Sequence, residues 1–204
     1  MKINKKKFIY LISPNKIHNS FYNNLKLVLK TKKVSFFQLR LKNYSLKKKI
    51  IIGKKIKNIC KKYKVKFIIN DDPLLALKLD ADGCHLGQKD MNIYIAKKIL
   101  GKKIIGITCH NSMNLAKKAI KAKADYIAFG AFNQSKTKKT KYVASVKILN
   151  RVKKFTKTPT VAIGGINAVN YKNLLLNNAN FLAISGYIWK NKKYKPLQAI
   201  ERLK

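Results

Sequence analysis

The chain has 204 residues, of which 47 are Lys or Arg and 7 are Asp or Glu, so its formal net charge is +40. Hydrophobic residues make up 47% of it, which is enough for one sizeable core and excludes a disordered tail protein. No apolar run approaches the ~18 to 20 residues of a membrane span. We therefore expect one globular domain over residues 1–204.

The first apolar run, Phe8–Ile12, follows a Lys-rich stretch at residues 2–7. A secretory signal would need an apolar core of ~7 to 15 residues followed by a small-residue cleavage site, and this run has neither. We expect it to be the first strand of a cytoplasmic protein. An odd number of cysteines without a secretion signal predicts free, buried thiols at Cys60, Cys84 and Cys109.

The charge is spread over nearly every segment and is carried almost entirely by Lys, with only 3 Arg. Lysine stems cover apolar surface while their ammonium groups stay in water, so we expect a solvated cationic surface. We predict no specific nucleic-acid partner. The alternative is a basic nucleic-acid-binding protein on a retired enzyme scaffold, whose binding would persist at physiological salt.

Short β-rich runs alternate with longer stretches of helical periodicity. Eight predicted strands recur about every 25 residues, and segments 81–87 and 124–130 both begin with Ala-Asp and end with Gly. This order predicts an α/β protein with a (β/α)8 TIM barrel. An open doubly wound sheet is disfavoured because no glycine-rich fingerprint follows the first strand. The strands are expected to end near Ile12, Gln38, Ile69, His85, Ile107, Phe129, Ala162 and Ile184.

The intervening segments carry helical stripes. Between the second and third strands, apolar residues recur at steps of three and four from Ile52 to Tyr63, which predicts an amphipathic helix. Candidate N-caps of three helices are Ser45, Asn111 or Ser112, and Asn167.

Polar residues collect at the carboxyl ends of the strands, where a barrel of this kind has its active site. Alternation directs Gln38, Arg40 and Lys42 to one side, and these groups suit a phosphate or pyrophosphate. Asp71 and Asp90 follow the third and fourth strands, and two carboxylates there are typical Mg²⁺ ligands. The sequence thus predicts an anion site beside a divalent metal ion.

A second anion site is predicted across the barrel mouth. Loop 130–138 is rich in hydroxyls and lysines and could close over an anion. The seventh and eighth strands end in Gly-Gly and Ser-Gly at 164–165 and 185–186, where backbone amides bind phosphate in this architecture. Asp72, in contrast, precedes Pro73 and is expected to cap a helix.

Five motifs carry these features: Gln38-x-Arg-x-Lys42, Ile69-Asn-Asp71, Ala81-Asp-Gly-x-His-Leu-Gly-Gln-x-Asp90, Ser135-x-Thr-Lys138 and Ala162-Ile-Gly-Gly-Ile166. Together they resemble the thiamine phosphate synthase family, and the similarity runs from Phe8 to Trp189. The resemblance implies a (β/α)8 barrel and a Mg²⁺-dependent transferase (EC 2.5.1 class) of thiamine biosynthesis. Such an enzyme joins 4-amino-2-methyl-5-hydroxymethylpyrimidine diphosphate to 4-methyl-5-(2-phosphoethyl)thiazole and releases pyrophosphate.

The same resemblance assigns roles to individual residues. Asp71 and Asp90 would hold Mg²⁺, and Arg40, Lys42 and Lys138 would stabilise the departing pyrophosphate. The pyrimidine diphosphate would contact Gln38, Leu39, Arg40, Leu41, Lys42, Asn70, Thr108 and Lys138, and the thiazole phosphate would contact Ser135, Lys136, Thr137, Gly165, Ile184 and Ser185.

Three departures from the family pattern are visible. Thr108 stands where the family usually has a serine that contacts the pyrimidine, and it keeps the hydroxyl. Ser135 replaces a threonine and loses a methyl group. Asn133-Gln134 replaces the usual Phe-Pro, which puts the stiffness of the closing loop in question. None of these changes removes a charged group.

Two further alternatives remain open at this point. A thiazole tautomerase would share the fold but would need no metal or pyrophosphate grip. A zinc site could form from Cys84-His85 and Cys109-His110, but alternation points the two side chains of each pair to opposite sides. Buried thiols and ordinary strand-end histidines are therefore predicted. No feature of the sequence indicates an oligomeric state.

Overall fold

The computed structural model describes residues 7–133 and 142–204. Within these residues, eight parallel strands close into a barrel in chain order. The strands are β1 (Ile9–Ile12), β2 (Val34–Leu39), β3 (Lys66–Asn70), β4 (Gly83–Leu86), β5 (Ile104–His110), β6 (Tyr126–Gly130), β7 (Thr160–Ile163) and β8 (Phe181–Ile184). The helices are α1 (Asn19–Lys30), α2 (Leu46–Lys62), α3 (Pro73–Lys78), α4 (Ile93–Leu100), α5 (Met113–Lys121), α6 (Lys147–Lys153), α7 (Tyr171–Leu176), α8 (Gly186–Trp189) and α9 (Pro196–Glu201).

The predicted (β/α)8 barrel is confirmed, and seven of the eight strands end within one residue of the expected position. The exception is β5, which was expected to end near Ile107 and continues to His110. The extra residues pair with β6, because Thr108 lies opposite Ala128 and His110 opposite Phe129. The pairing shifts register between Thr108 and His110, an irregularity that sequence periodicity does not signal.

Strand alternation divides the buried side chains into two groups. The larger group packs between the strands and the surrounding helices and includes the three cysteines, which are free and buried as predicted. The smaller group fills the inside of the barrel, with Tyr10, Phe36, Tyr126 and Phe181 as its largest members. The interior is therefore a packed core and not a channel.

Side-chain caps fix where several helices begin. Ser45 accepts a hydrogen bond from the Lys48 N–H at the start of α2, and Ser112 caps α5 through the Leu115 N–H. Both caps were predicted.

The third predicted cap was wrong. The side-chain Oδ1 of Asn167 accepts hydrogen bonds from the N–H groups of Val169 and Asn170, which closes a turn before α7. The helix itself begins later, at Tyr171. An Asn can close a turn through the same side-chain contacts that make it a helix cap, so its position alone did not distinguish the two.

Within residues 7–133 and 142–204, every helix is too short or too polar to span a bilayer.

Candidate active site

Two carboxylates meet at the carboxyl ends of β3 and β4. Asp71 follows β3 with a φ of 67°, a left-handed conformation that Asp tolerates better than most residues. Its N–H donates to the His85 carbonyl at 2.8 Å, which ties the two strand ends together. Asp90 lies at the end of a tight turn, where its Oδ2 accepts from the Gly87 N–H at 2.6 Å.

The electrostatics of this pair are unfavourable in the absence of a cation. Burial raises the pKa of Asp90, and the adjacent Asp71 carboxylate raises it further. The Gly87 N–H and the Lys42 ammonium act in the opposite direction and do not cancel the shift. A like-charged neighbour disfavours ionisation. A divalent cation bound by these two carboxylates would therefore relieve the repulsion between them.

The pair also satisfies the ligand chemistry of magnesium. The described residues hold no cluster of three or more His, Cys, Asp or Glu side chains, but Mg²⁺ needs only one or two carboxylates with water and substrate phosphates. Asp71 lines a cleft of about 470 Å³ with Asn70, Lys42, Leu39 and Leu41. The cleft leaves room for such additional ligands beside the carboxylates.

The two cationic residues that follow β2, Arg40 and Lys42, are only weakly compensated by the protein's own carboxylates. Lys42 Nζ lies 3.3 Å from Asp71 Oδ2, and the Lys42 side chain is 58% exposed, a pairing that contributes little to stability. In the described part of the chain, no ion pair engages the Arg40 guanidinium. Its backbone N–H donates to Ser13 Oγ at 2.9 Å, which anchors the residue between β1 and β2. Both cations are therefore available for an anion.

The barrel interior contains three polar side chains, Tyr10, His85 and Tyr126, for which no role in the site was predicted. Gln38 is buried, and its amide nitrogen donates to the Tyr10 hydroxyl, which lies 2.7 Å from the Tyr126 hydroxyl. The His85 ring contacts Tyr126 through Nδ1 and Thr108 through Nε2. His85, expected to be an ordinary strand-end residue, thus belongs to a hydrogen-bonded chain that reaches the barrel mouth.

Burial determines the protonation states of Tyr10, Tyr126 and His85. Burial raises the pKa of Tyr10 and Tyr126 above the usual value, so both keep their protons. Burial lowers the pKa of His85 to about 4, against a smaller opposing effect of Asp90, so the imidazole is neutral. Inward alternation on β1, β4 and β6 was the signal that could have grouped these residues, because a buried Tyr hydroxyl or imidazole needs a partner.

The opposite side of the mouth is built from β7 and β8. Gly164 and Gly165 follow β7 with φ values of 109° and 56°, and the value at Gly164 requires glycine. A Cβ on Gly164 would lie 2.4 Å from Ala131 Cβ. Ile184 is buried at the end of β8, and the Ser185 hydroxyl donates to the Ser13 carbonyl at 3.1 Å.

The loop that follows β6 begins with backbone contacts to β7. Phe132 and Asn133 donate through their backbone N–H groups to the carbonyls of Ile163 and Gly164, which anchors the start of the loop to β7. The predicted site residues Ser135, Lys136, Thr137 and Lys138 lie outside the described residues, as does Gln134.

The structure agrees with the argument against a zinc site. Cys84 and Cys109 pack in the layer between the strands and the helices, while His85 contacts the interior tyrosine Tyr126. His110 stacks on Tyr142 with ring centroids 4.2 Å apart. The four side chains therefore do not converge, as alternation predicted.

The fold and the carboxyl ends of its strands define the class of protein: a (β/α)8 barrel with a carboxylate pair, weakly paired cations and glycine-containing strand ends at one mouth. A family model described as thiamine monophosphate synthase matches residues 9–188. The chain belongs to this family.

Individual relatives agree with this assignment. The thiamine-phosphate synthase of Pelagibacter ubique (strain HTCC1062) is 69% identical, with all of both chains covered. That of Erythrobacter litoralis (strain HTCC2594) is 37% identical over 94% of this chain and 92% of the relative.

Solved structures show the same architecture. The thiamine phosphate pyrophosphorylase of Pyrococcus furiosus superimposes with a TM-score of 0.85 at 28% identity, covering 98% of this chain and 94% of that chain. Orotidine 5′-phosphate decarboxylase of Pyrococcus horikoshii OT3 has a TM-score of 0.65 at 12% identity, covering 94% and 95% of the two chains. The latter similarity concerns the fold alone.

Proposed function

We propose that the protein is a thiamine phosphate synthase, a transferase that joins the pyrimidine diphosphate to the thiazole phosphate and releases pyrophosphate. The observation that carries the proposal is the carboxylate pair Asp71 and Asp90 beside the weakly paired Lys42. Reactions that expel pyrophosphate need a divalent cation and fixed positive charge at the leaving group. The family of the chain and its named relatives support the same activity.

The pyrimidine diphosphate is proposed to bind across the ends of β2 and β3. Arg40 would grip the diphosphate bidentately, and Lys42 would add a mobile point charge. Asn70 lies in the same cleft as Lys42. Leu39 and Leu41 form the apolar wall of that cleft, and Gln38 and Thr108 would meet the ring.

Asp71 and Asp90 are the proposed ligands of Mg²⁺. When bound, this ion would neutralise charge on the diphosphate and on the departing pyrophosphate. The Asp90 carboxylate is already held by the Gly87 N–H, and the main chain of Asp71 is fixed by its N–H, which donates to the His85 carbonyl. Such preorganisation reduces the cost of assembling the site.

The thiazole phosphate is proposed to occupy the opposite side of the mouth. Gly165 presents backbone in a left-handed conformation there, and Ser185 and Ile184 end the neighbouring strand. Loop residues Ser135 to Lys138 would close over this phosphate. Two anion sites on one rim would place the thiazole nitrogen against the pyrimidine methylene carbon.

The proposed reaction is dissociative. The bond between the methylene carbon and the diphosphate oxygen breaks first, and the ring amino group delocalises the resulting positive charge. Arg40, Lys42 and Lys138 stabilise the negative charge on the leaving group. The thiazole nitrogen then donates its electron pair to the carbon. This sequence needs no protein nucleophile or general base.

The direct test is incubation of the pure protein with both phosphorylated heterocycles, with and without Mg²⁺. Thiamine phosphate and pyrophosphate should appear in equal amounts and only when the metal is present. A reaction of the thiazole substrate alone, without pyrophosphate, would instead identify a tautomerase. If neither reaction occurs and nucleic acid stays bound above ~0.2 M salt, the proposed function is wrong.

A further inference from the structure

One continuous hydrogen-bonded chain crosses the barrel interior between two residues of the proposed pyrimidine site. The Gln38 amide nitrogen lies 3.1 Å from the Tyr10 hydroxyl, which lies 2.7 Å from the Tyr126 hydroxyl. The Tyr126 hydroxyl is 3.0 Å from His85 Nδ1, and His85 Nε2 is 2.8 Å from Thr108 Oγ1. The chain therefore connects Gln38 to Thr108 through three side chains that face the barrel interior.

The Gln38 amide sets the direction of donation along this series of hydrogen bonds. An amide nitrogen only donates, so the Tyr10 oxygen accepts from Gln38 and the Tyr10 proton points to the Tyr126 oxygen. The opposite arrangement would leave the Tyr10 proton without an acceptor, although Tyr10 is only 2% exposed. An unsatisfied buried donor costs about 1–3 kcal/mol.

The same direction of hydrogen-bond donation continues through His85. If the Tyr126 oxygen accepts from Tyr10, its own proton is donated to His85 Nδ1. A neutral imidazole carries one N–H, which must then be on Nε2 and is donated to Thr108 Oγ1. The Thr108 oxygen is thereby used as an acceptor, and its proton is left to point away from His85.

The aromatic packing keeps these groups in place. Gly106 lies beside Tyr126, and a Cβ on this glycine would come within 1.9 Å of the Tyr126 ring. The His85 and Tyr126 rings are stacked with centroids 5.6 Å apart. The glycine thus provides the space that the Tyr126 ring needs, and the hydroxyl is held between its two partners.

We propose that Tyr10 and Tyr126 are positioning residues that fix His85 as the Nε2–H tautomer and so make Thr108 a hydrogen-bond donor to the pyrimidine substrate. The identity of the ligand rests on the proposed function, whereas the tautomer does not. A donor at Thr108 matches an acceptor atom of the substrate, such as a ring nitrogen. The two tyrosines thus act on substrate orientation without touching the substrate.

The tautomer can be measured on the ligand-free protein by ¹⁵N NMR of histidine-labelled samples. The chain has 3 histidines, so the His85→Gln variant identifies the His85 signals by their loss. We expect the Nε2 shift of a protonated nitrogen and the Nδ1 shift of an unprotonated one. The reverse pattern would place the proton on Nδ1 and overturn the proposal whether or not the protein has the proposed activity.

Two variants test the effect on the substrate. Tyr126→Phe should abolish the single tautomer and raise the KM for the pyrimidine diphosphate about tenfold, the size of one lost hydrogen bond, without changing the KM for the thiazole phosphate. Tyr10→Phe leaves Tyr126 in place and should mix the two tautomers with a smaller KM change. The control is Tyr171→Phe, whose hydroxyl contacts the Lys204 carbonyl away from the site.

The outcomes separate the two proposals. An unchanged tautomer and an unchanged pyrimidine KM in Tyr126→Phe would contradict the positioning role. Equal increases in both KM values would indicate a general loss of structure and would also contradict it. Absence of thiamine phosphate synthesis in the unmodified protein would contradict the proposed function, while the NMR result would still decide the tautomer.

Discussion

The two ends of the barrel use the same residue type in opposite ways. At the amino end, Asp80 accepts hydrogen bonds from Lys57 and Lys103, which lower its pKa to about 2. At the carboxyl end, Asp90 lies next to Asp71, and its pKa is raised by burial and by that carboxylate. Ionisation of Asp80 is thus favoured by its surroundings, whereas ionisation of Asp90 is disfavoured.

Other aspartates of the amino end follow the first pattern. Asp82 pairs with Lys66 and accepts from the Phe67 N–H, and Asp125 accepts from the Ile105 N–H. These carboxylates connect neighbouring strand ends. In a chain with this excess of Lys, the informative carboxylate is Asp90, because burial and the neighbouring Asp71 raise its pKa.

The largest expected difference between the two ends is in catalysis. Asp71→Ala should reduce thiamine phosphate formation at least ~10²-fold, the effect of removing one preorganised charge. Lys138→Ala should do the same. Asp80→Ala, the matched change at the amino end, should leave turnover near normal, and initial rates at saturating substrates are the measurement. Near-normal turnover of Asp71→Ala would contradict its role as a metal ligand.

The next effect concerns pH and the neutral histidine beneath the carboxyl end. The pKa of His85 falls from 6.5 to about 4 on folding, so the unfolded chain takes up a proton more readily. The free energy of unfolding should therefore drop as pH falls from about 6.5 towards 4, by up to ~3 kcal/mol from this group. Urea titrations of the protein and of His85→Gln should differ in this window, the variant showing the weaker pH dependence. Parallel curves would contradict the assignment.

The smallest effects should have opposite signs at the two ends. Asp90→Asn relieves the repulsion with Asp71 and should slightly raise the free energy of unfolding in metal-free buffer at neutral pH. Asp80→Asn should lower it slightly, because the lowered pKa of Asp80 reflects stabilisation that is present above 3.8 and lost towards about 2. Denaturant midpoints with and without Mg²⁺ would measure both. If both variants destabilise equally, the contrast between the ends is wrong.

Sequence periodicity predicted the barrel and the carboxylate rim because both depend on local order. Alternation and strand ends place Asp71 and Asp90 on neighbouring strands, whichever way the helices pack. The extension of β5 to His110 could not be predicted in this way, since its pairing with β6 includes a change of register.

The interior chain escaped prediction for a different reason. Tyr10 and Tyr126 are 116 positions apart, yet their hydroxyls meet at 2.7 Å. From the sequence, a tyrosine in a strand is interpreted as an ordinary core residue. The hydrogen-bond partner of its hydroxyl is known only once the barrel has closed. Long-range polar pairing of this kind depends on barrel closure and register, which a single sequence specifies only indirectly.

The tyrosines packed inside the barrel also determine by which route substrates and products reach and leave the site. Since Tyr10, Phe36 and Tyr126 fill the middle of the barrel, residues 7–133 and 142–204 leave no passage through its interior. Substrates and products must therefore enter and leave through the same open end of the barrel. The substrate that binds deeper has to bind first, and the product has to leave through the same opening.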